Sequence, residues 1–287
     1  MMDGKICLIT GSTSGIGKEI ALSLARMKAT VILVGRSKDR CEAALQEIVK
    51  RGAPNINENN IAYIVADLSS QASILELADQ FLAAHRQLDV LINNAGVFLA
   101  KRITTVDGIE YTFAVNHLAP FLLTNLLIGI SEKSGVQSRV ITTSSIAHRG
   151  AHIDFDDIQF EKRHYNGLKA YGQSKLANIL FTKELARRLK SANATANCFH
   201  PGGVRTNLAK GNPWYYRMIW ILASPFLISA EKGADTGIYL ASSSDLKETT
   251  GKYFVKCKEV DPSREANDQE TAQKLWKVSE EMTNMVR

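Results

Sequence analysis

The sequence predicts an α/β fold in which helices cover both faces of a doubly wound parallel sheet of about seven strands. Short apolar runs alternate with helix-length amphipathic segments along the chain of 287 residues. The runs end in turns rich in Gly, Asn and Ser, and no linker, repeat or low-complexity tract divides the chain. Such alternation is typical of parallel sheets covered on both faces, and we expect residues 1–287 to form a single domain.

The predicted strands are short apolar runs, as expected for strands buried on both faces. They cover residues 6–10, 31–35, 61–66, 88–92, 139–143, 194–199 and 252–255. The intervening segments carry apolar residues at helical spacing. These predicted helices cover residues 18–28, 38–51, 72–86, 113–130, 171–189, 230–241 and 268–286. Ligands of doubly wound sheets bind at the carboxyl ends of the strands, so the turns there are candidate sites.

Composition and charge narrow the classes of function. The net charge is +6, and the basic residues are dispersed except for one cluster at a helix end, where the helix dipole favours cations. Nucleic-acid binding is therefore not indicated, whereas a basic balance suits a polyanionic cofactor. The four cysteines lack the spacing of a disulfide framework or a zinc site, which indicates a reducing compartment and no metal.

The first apolar run follows directly after residues 1–5, so we expect no signal peptide or anchor and a cytoplasmic location. Residues 213–229 are aromatic and aliphatic but interrupted by Arg217 and Pro225, and a membrane span needs about 20 continuous apolar residues. We predict an apolar substrate lid around residues 207–230. Peripheral contact of 213–229 with a membrane surface and plain core packing are the alternatives.

A glycine-rich turn joins the first strand to the first helix. Glycines permit a tight turn and let backbone amides approach a phosphate. An ordinary turn is the alternative, but the strand before it and the helix after it favour a Rossmann-like dinucleotide site. The turn consists of Gly11, Ser12, Thr13, Ser14, Gly15, Ile16 and Gly17.

The second strand ends in Gly35, Arg36, Ser37 and Lys38, with no acidic residue. In NAD-binding folds an Asp or Glu about 20 residues past the glycines holds the ribose 2′-hydroxyl. A carboxylate would repel a 2′-phosphate, whereas a guanidinium pairs with it through two bonds. We therefore predict NADP(H) as the cofactor; a solvated Arg36 is the alternative.

Proline interrupts the helix predicted at 113–130. Pro120 has no N–H to bond the Asn116 carbonyl, which is therefore expected to be free for a water or ligand, unless the bend is merely tolerated. The run around Pro120 is apolar on nearly every side. Such a helix lies in the core or in a subunit contact.

Tyr171 and Lys175 lie four residues apart on one predicted helix, so both side chains point the same way. At about 4 Å and an effective dielectric constant of about 20, the ammonium would stabilise the phenolate by roughly 4 kcal/mol. This attraction would bring the phenol pKa near 7, where it can donate or accept a proton. A half-exposed helix with a solvated lysine is the alternative.

Ser145 follows the fifth strand and could hold a substrate oxygen, although a serine bonding its own loop is the alternative. His148 and His152 are separated by Gly150 in a predicted loop. We interpret them as surface histidines and not as a metal pair.

These motifs together resemble the short-chain dehydrogenase/reductase family over nearly the whole chain, and within it the microsomal-type retinol dehydrogenases. The closer likeness lies in Ser144 to His148, Tyr171 to Asn178, His200-Pro201-Gly202 and Gly251 to Phe254. The family motifs are Thr10-Gly11 through Gly17, Asn93-Asn94-Ala95-Gly96, Asn116, Ser145, Tyr171 with Lys175, and Pro201-Gly202.

The resemblance implies a NADP(H)-dependent alcohol dehydrogenase or carbonyl reductase acting on a lipophilic substrate such as a retinoid, steroid or long-chain aldehyde. Tyr171 would be the acid/base, Lys175 would lower its pKa and bond the nicotinamide ribose, and Ser145 would hold the reacting oxygen. Asn116 would fix a water that leads protons to Lys175. Tyr171 and Ser145 would thus contact the substrate.

The remaining implied roles concern the cofactor and partners. The cofactor would contact Asp67 and Leu68 at its adenine, and Asn94, Ala95 and Gly96 at its adenosine ribose. Its further contacts would be Thr143, Pro201, Gly202, Val204 and Thr206. A homodimer through the two apolar helices is expected from the resemblance. The alternative function is a cofactor-binding, redox-sensing interaction protein without significant turnover.

Overall fold

The computed structural model describes residues 2–54, 56, 58–130, 135–189, 193–204 and 227–285. They form an eight-stranded sheet in the order β3-β2-β1-β4-β5-β6-β7-β8. All pairings from β3 to β7 are parallel, and only β8 runs antiparallel to its neighbour. The strands are Ile6–Thr10, Thr30–Gly35, Ile61–Val65, Val90–Asn93, Ser138–Thr143, Ala194–His200, Tyr253–Val255 and Lys258–Glu259, numbered β1 to β8.

Helices pack on both sides of this sheet, as predicted. In chain order we number them α1 to α8. They are Gly15–Arg26, Lys38–Gly52, Gln71–Ala84, Tyr111–Phe113, Ala119–Leu127, Gly167–Arg188, Ala230–Ser242 and Gln269–Met282.

The predicted fold class is confirmed, with small differences. The sheet has eight strands and not about seven, because the two-residue β8 is too short to show a periodic pattern. The helix predicted at 113–130 is divided into α4, a π-helical turn over Ala114–Leu118, and α5, which has Pro120 in its first turn. The irregularity expected from Pro120 is present one turn before it, where the proline cannot supply a helical N–H.

The core lies on the two faces of the sheet. Side chains alternate along β1, so that Cys7 and Ile9 pack with α1, α2 and α7, whereas Leu8 packs with α3, α5 and α6 on the opposite face. The central strands are therefore buried on both sides, and functional residues are confined to the strand ends.

The last helix, α8, covers α5 and α6. Trp276 is 4% exposed, and its ring lies 4.9 Å from that of Phe121 and 5.8 Å from that of Phe181. The guanidinium of Arg188, the last residue of α6, lies over the Trp276 ring, 4.2 Å from its centroid. The apolar residues of α5 are buried or half-buried within one chain, as are those of α6 apart from Leu168. Much of the apolar surface of α5 and α6 is thus covered within one chain, and a homodimer through these two helices stays a prediction.

We expect Trp276→Ala to lower the free energy of unfolding by about 3–5 kcal/mol, the usual cost of emptying a large aromatic site. The apolar face left open on α5 and α6 should also favour association. Chemical denaturation measures the first effect and light scattering coupled to size-exclusion chromatography measures the second. A change below about 1 kcal/mol would mean that α8 is not needed to seal these helices.

Candidate active site at the carboxyl edge of the sheet

Thr10, at the end of β1, joins this strand to the turn after β4. Its Oγ1 accepts hydrogen bonds from the backbone N–H groups of Asn94 at 3.0 Å and Ala95 at 3.1 Å. The Asn94 side chain in turn donates to the Thr10 carbonyl at 3.0 Å. The predicted residues of the Asn93–Gly96 turn therefore lie directly against the glycine-rich turn.

The glycine-rich turn forms a narrow cradle. Gly11 has φ +65°, and a Cβ there would lie 2.8 Å from the Ala95 Cα. A Cβ on Gly17 would lie 2.6 Å from the Gly11 carbonyl oxygen. Helix α1 begins at Gly15, and the side chain of its N-cap residue, Ser14, makes no capping hydrogen bond. The first amides of α1 are thus without a capping side chain, the arrangement that suits an anion at a helix N-terminus.

Ser12 differs from the other predicted cofactor residues of this turn. Its hydroxyl is buried, donates to the Ile9 carbonyl at 2.7 Å and accepts the Val34 N–H at 3.0 Å. This side chain therefore joins β1 to β2, because both hydrogen bonds of its hydroxyl are used inside the protein. A cofactor contact of Ser12 stays a prediction. Thr13 packs under Gly35, where a Cβ would lie 2.4 Å from the Thr13 methyl carbon.

Arg36 lies just beyond β2, at the same edge of the sheet, and its side chain is exposed. Within the described residues it forms no ion pair, whereas nearby Lys38 lies 3.8 Å from Glu42. Asp67 follows β3, and its Oδ1 accepts hydrogen bonds from the Ser69 N–H and hydroxyl at 2.9 and 2.7 Å. The half-buried Leu68 follows it. The predicted adenine end of the site is thus lined by exposed or half-buried residues.

The four predicted catalytic residues come together at the ends of β4 and β5. The Ser145 hydroxyl lies close enough to the Tyr171 phenol to lower its pKa. Lys175 is 2% exposed; its Nζ donates to the Thr143 carbonyl at 3.0 Å and lies 5.6 Å from the centroid of the Tyr171 ring. A Cβ on Gly96 would lie 3.4 Å from this Nζ and 3.5 Å from Asn116 Oδ1. The end of β5, one face of α6 and the π-helical turn before α5 thus place all four side chains around a common space.

The side chain of Asn116 is fixed within the π-helical turn. Its Oδ1 accepts the Val97 N–H at 2.8 Å, and its Nδ2 donates to the Val97 carbonyl at 3.0 Å and to the Ser174 hydroxyl at 2.9 Å. The amide therefore ties the β4 end to α6. A free backbone carbonyl of Asn116 stays a prediction.

The titration of the two central groups differs from the prediction. Burial raises the pKa of Tyr171 to about 12, although the neighbouring Ser145 hydroxyl lowers it in part. Burial also lowers the pKa of Lys175 to about 8. The predicted phenol pKa near 7 is wrong for the protein by itself, because desolvation outweighs an ammonium 5.6 Å from the ring. At neutral pH the phenol therefore holds its proton.

The nicotinamide end of the predicted site lies at β5 and β6. The Thr143 Oγ1 is buried with no hydrogen-bond partner among the described residues. Pro201 and Gly202 follow β6, with Gly202 at φ +94°, and Val204 pairs with Ile228 in a parallel bridge. Thr206 and residues 207–226 of the predicted lid lie outside the described residues; of the predicted lid, only residues 227–230 are described.

Sequence reasoning missed the burial of His148. This ring is 0% exposed, whereas His152 is exposed as predicted. The prediction of a surface histidine is wrong for His148 because the chain after β8 folds over it, and the Ser263 N–H donates to Nε2 at 3.1 Å. The sequence did contain one signal for this contact: a histidine three residues after Ser145 can reach the Ser145 carbonyl if the chain forms a helical turn there.

The charged segment 154–163 packs against α6. The Arg163 guanidinium pairs with the Asp154 carboxylate and lies 3.9 Å from the Phe160 ring. Gln173 Nε2 donates to the Ile158 carbonyl at 2.9 Å, and its Oε1 accepts from Arg163 at 3.3 Å. Because Gln173 lies between the two central residues of α6, this segment holds the helix that carries them.

Within the described ranges, no three His, Cys, Asp or Glu residues are grouped so as to hold a metal ion. No helix in the described part of the chain is both long and apolar enough to traverse a bilayer. Cytoplasmic location and membrane contact through 213–229 stay predictions, and residues 213–226 lie outside the described ranges.

Comparison with known proteins adds independent evidence. The family model described as short chain dehydrogenase matches residues 5–214. Human retinol dehydrogenase 13 is 41% identical over 98% of this chain and 85% of its own length. Bovine retinol dehydrogenase 12 is 43% identical over 97% of this chain and 86% of its own length.

A solved structure of a Mycobacterium Paratuberculosis protein is 34% identical and superposes with a TM-score of 0.79, covering 99% of this chain and 94% of that one. The fold, the placement of the motifs and these matches agree. The chain belongs to the short-chain dehydrogenase/reductase family.

Proposed function

We propose that this chain is a NADP(H)-dependent oxidoreductase that interconverts a lipophilic carbonyl compound and its alcohol. Hydride-transfer oxidoreduction with a nicotinamide cofactor is the chemistry of its family. One observation carries the proposal: the Tyr171 phenol, beside Ser145 and near Lys175, lies at the sheet edge that also bears the glycine cradle. A panel of aldehydes, ketones and alcohols assayed with both nicotinamide cofactors tests it, and no turnover with any of them would contradict it.

The residues at this edge fit a dinucleotide. Within the described ranges the α1 N-terminus has no capping bond from Ser14, which suits the pyrophosphate, and the Thr143 hydroxyl has no hydrogen-bond partner, which suits the nicotinamide end. When bound, the nicotinamide supplies or accepts the hydride. Asp67 and Leu68 would hold the adenine, Asn94 to Gly96 the adenosine ribose, and Lys175 the nicotinamide ribose. Pro201 to Val204, with Thr206, would complete the site.

The chain's own residues would handle the proton. Because the raised pKa of Tyr171 keeps its phenol protonated at neutral pH, the phenol can donate to a substrate oxygen as a carbonyl is reduced. The Ser145 hydroxyl would orient that oxygen. The Lys175 ammonium, held at the Thr143 carbonyl, would stabilise the phenolate left behind.

Apolar side chains near the phenol support a lipophilic substrate. The Phe98 ring meets the Tyr171 ring edge-on with centroids 5.9 Å apart. Ile146, next to Ser145, is 52% exposed, and Leu168, one helical turn before Tyr171, is 68% exposed. Large apolar side chains so exposed beside a proton donor suit an apolar ligand. The relatives named retinol dehydrogenases favour a retinoid or a similar long-chain compound.

Arg36 supports the choice of NADP(H), since it follows β2 and is exposed and free of ion pairs within the described chain. We expect Arg36→Asp to shift the ratio of kcat/KM values toward NAD(H) by roughly 10- to 100-fold, the effect of losing a charge-assisted pair and adding repulsion. Steady-state kinetics with both cofactors measures this shift.

The matched control is Lys50→Asp, which makes the same change of charge at an exposed position of α2 about 18 Å along the helix from Lys38. We expect its cofactor ratio to stay within about twofold of wild type, because surface charges at that distance are screened. Equal shifts in the two variants would assign the effect to net charge and not to Arg36.

A further inference from the structure

We propose that His148 is a positioning residue that fixes the backbone of Ser145 and, through it, the serine hydroxyl beside the Tyr171 phenol. This inference rests on the proposed function, because it assigns His148 a role only in relation to Ser145. The ring contacts the serine at its carbonyl oxygen and not at its hydroxyl. His148 thus acts through Ser145 and not on a substrate.

The imidazole contacts two backbone groups. Nδ1 lies 2.6 Å from the Ser145 carbonyl oxygen, which also accepts the backbone N–H of His148 at 3.2 Å. Nε2 lies 3.1 Å from the Ser263 nitrogen, an obligatory donor. The ring is therefore the Nδ1–H tautomer, with Nδ1 donating to Ser145 and Nε2 accepting from Ser263. The Tyr253 ring packs on it edge-on with centroids 5.1 Å apart.

Only a neutral ring satisfies both contacts. A protonated imidazole would carry a hydrogen on Nε2 and direct it at the Ser263 N–H. Burial lowers the pKa of His148; the hydrogen bond to Ser145 and the Glu265 charge raise it in part, the Arg149 charge lowers it, and the net shift is downward. The two hydrogen bonds and the buried position together hold one tautomer in one orientation.

The position of Ser145 depends on its backbone. Ser145 is extended, with φ −157° and ψ 158°, and its Oγ accepts the Ala147 N–H at 3.2 Å while it lies beside the phenol. The carbonyl of the same residue is the atom that His148 holds. A displacement of about 1 Å at a reacting group can cost on the order of 100-fold in rate, so a fixed backbone here affects turnover.

His148 also links this serine to the chain beyond the sheet. Ser263 follows β8, and the Val260 N–H, on the same stretch, donates to the Tyr253 carbonyl at 2.9 Å. The stretch after β8 therefore closes over the back of the Ser145 turn. A histidine that only filled this space could be replaced by any side chain of similar volume. A positioning residue, by contrast, needs a hydrogen-bond donor that reaches the Ser145 carbonyl oxygen.

Two variants separate the two contacts. In His148→Asn the amide nitrogen can take the place of Nδ1 and keep the bond to Ser145, whereas in His148→Gln the longer side chain can keep the acceptor for Ser263. We expect kcat of His148→Asn within about threefold of wild type and kcat of His148→Gln lower by about tenfold or more with little change in KM, since the loss is in orientation. The same pair of substitutions at exposed His152 is the control and should leave kcat unchanged.

The inference is overturned if His148→Gln retains as much kcat as His148→Asn. It is also overturned if the loss of kcat in the two variants is proportional to the drop in their midpoints of thermal unfolding. It is also overturned if neither variant folds, because the ring would then serve the fold and not the serine. Nitrogen-15 NMR of the histidine rings gives a readout that needs no substrate. We expect a neutral Nδ1–H signal for His148 from about pH 6 to 8, and a protonated ring or the other tautomer there would contradict the inference.

The results that would contradict the proposed function differ from those that would contradict the role of His148. A wild-type chain with the expected NMR signal and no turnover would contradict the proposed reaction and leave the contacts of His148 supported. An active wild-type chain with equal losses in the two His148 variants would contradict only the role of His148.

Discussion

Replacing Tyr171 with phenylalanine is expected to lower kcat by about 10²- to 10⁴-fold, the usual contribution of a positioned proton donor. The phenol lies beside the Ser145 hydroxyl, and its raised pKa keeps the proton available at neutral pH. Phenylalanine keeps the ring and its edge contact with Phe98, so the shape of the site should be preserved. Steady-state assays measure kcat, and titration of the cofactor's fluorescence measures binding, which should change by less than about threefold.

Tyr165→Phe is a matched control for this change. The Tyr165 hydroxyl bonds the Leu99 carbonyl at 3.3 Å and the Glu110 carboxylate at 3.1 Å, away from the Ser145 hydroxyl. Its loss should cost roughly 1–3 kcal/mol of stability and leave kcat within about threefold of wild type. If Tyr171→Phe kept full turnover, the proton donor would lie elsewhere and the mechanism would be wrong.

Gly17→Ala is expected to weaken dinucleotide binding by more than about tenfold, through overpacking that typically costs 1–3 kcal/mol. A Cβ here would lie 2.6 Å from the Gly11 carbonyl oxygen and 2.5 Å from Asn94 Nδ2. Both neighbours belong to the cradle, and the carbonyl is backbone, so the turn must open to admit the methyl group. Equilibrium cofactor titration measures the effect, with the kcat/KM for cofactor as a second measure.

The control is Gly129→Ala, where a Cβ would meet no atom within 4 Å. This exposed position at the end of the α5 region should tolerate the methyl group with unchanged cofactor affinity and a stability change within about 1 kcal/mol. Equal affinity losses in the two variants, or none in Gly17→Ala, would contradict the assignment of the cradle.

The regular secondary structure of the fold could be predicted from the sequence. Buried strands such as Ile6–Thr10 and Thr30–Gly35 are local apolar runs, and helices such as Lys38–Gly52 carry apolar residues at regular spacing. The strand-turn-helix around Gly11 to Gly17 and the four-residue spacing of Tyr171 and Lys175 are equally local. One stretch of chain is enough to establish such patterns.

Other features depend on contacts between distant segments. The pKa of Tyr171 is raised because the surrounding chain buries the phenol, and the spacing to Lys175 contains no measure of that burial. His148 is buried by residues more than 100 positions later in the chain, with Ser263 at 3.1 Å. The charged residues of 154–163 resemble a solvated loop in sequence, but Gln173 and Arg163 join them to α6.

The amino-acid sequence by itself determined the order of strands and helices, the glycine turn and the phenol and ammonium on one helix face, because each is set by periodicity or spacing within about 20 residues. The tertiary structure alone decided that α8 seals α5 and α6, that the Ser12 hydroxyl joins two strands, and that His148 holds the Ser145 carbonyl. The physical reason is that solvent exclusion and hydrogen-bond partners depend on which segments meet in space. Residues that are close in sequence do not specify these long-range contacts.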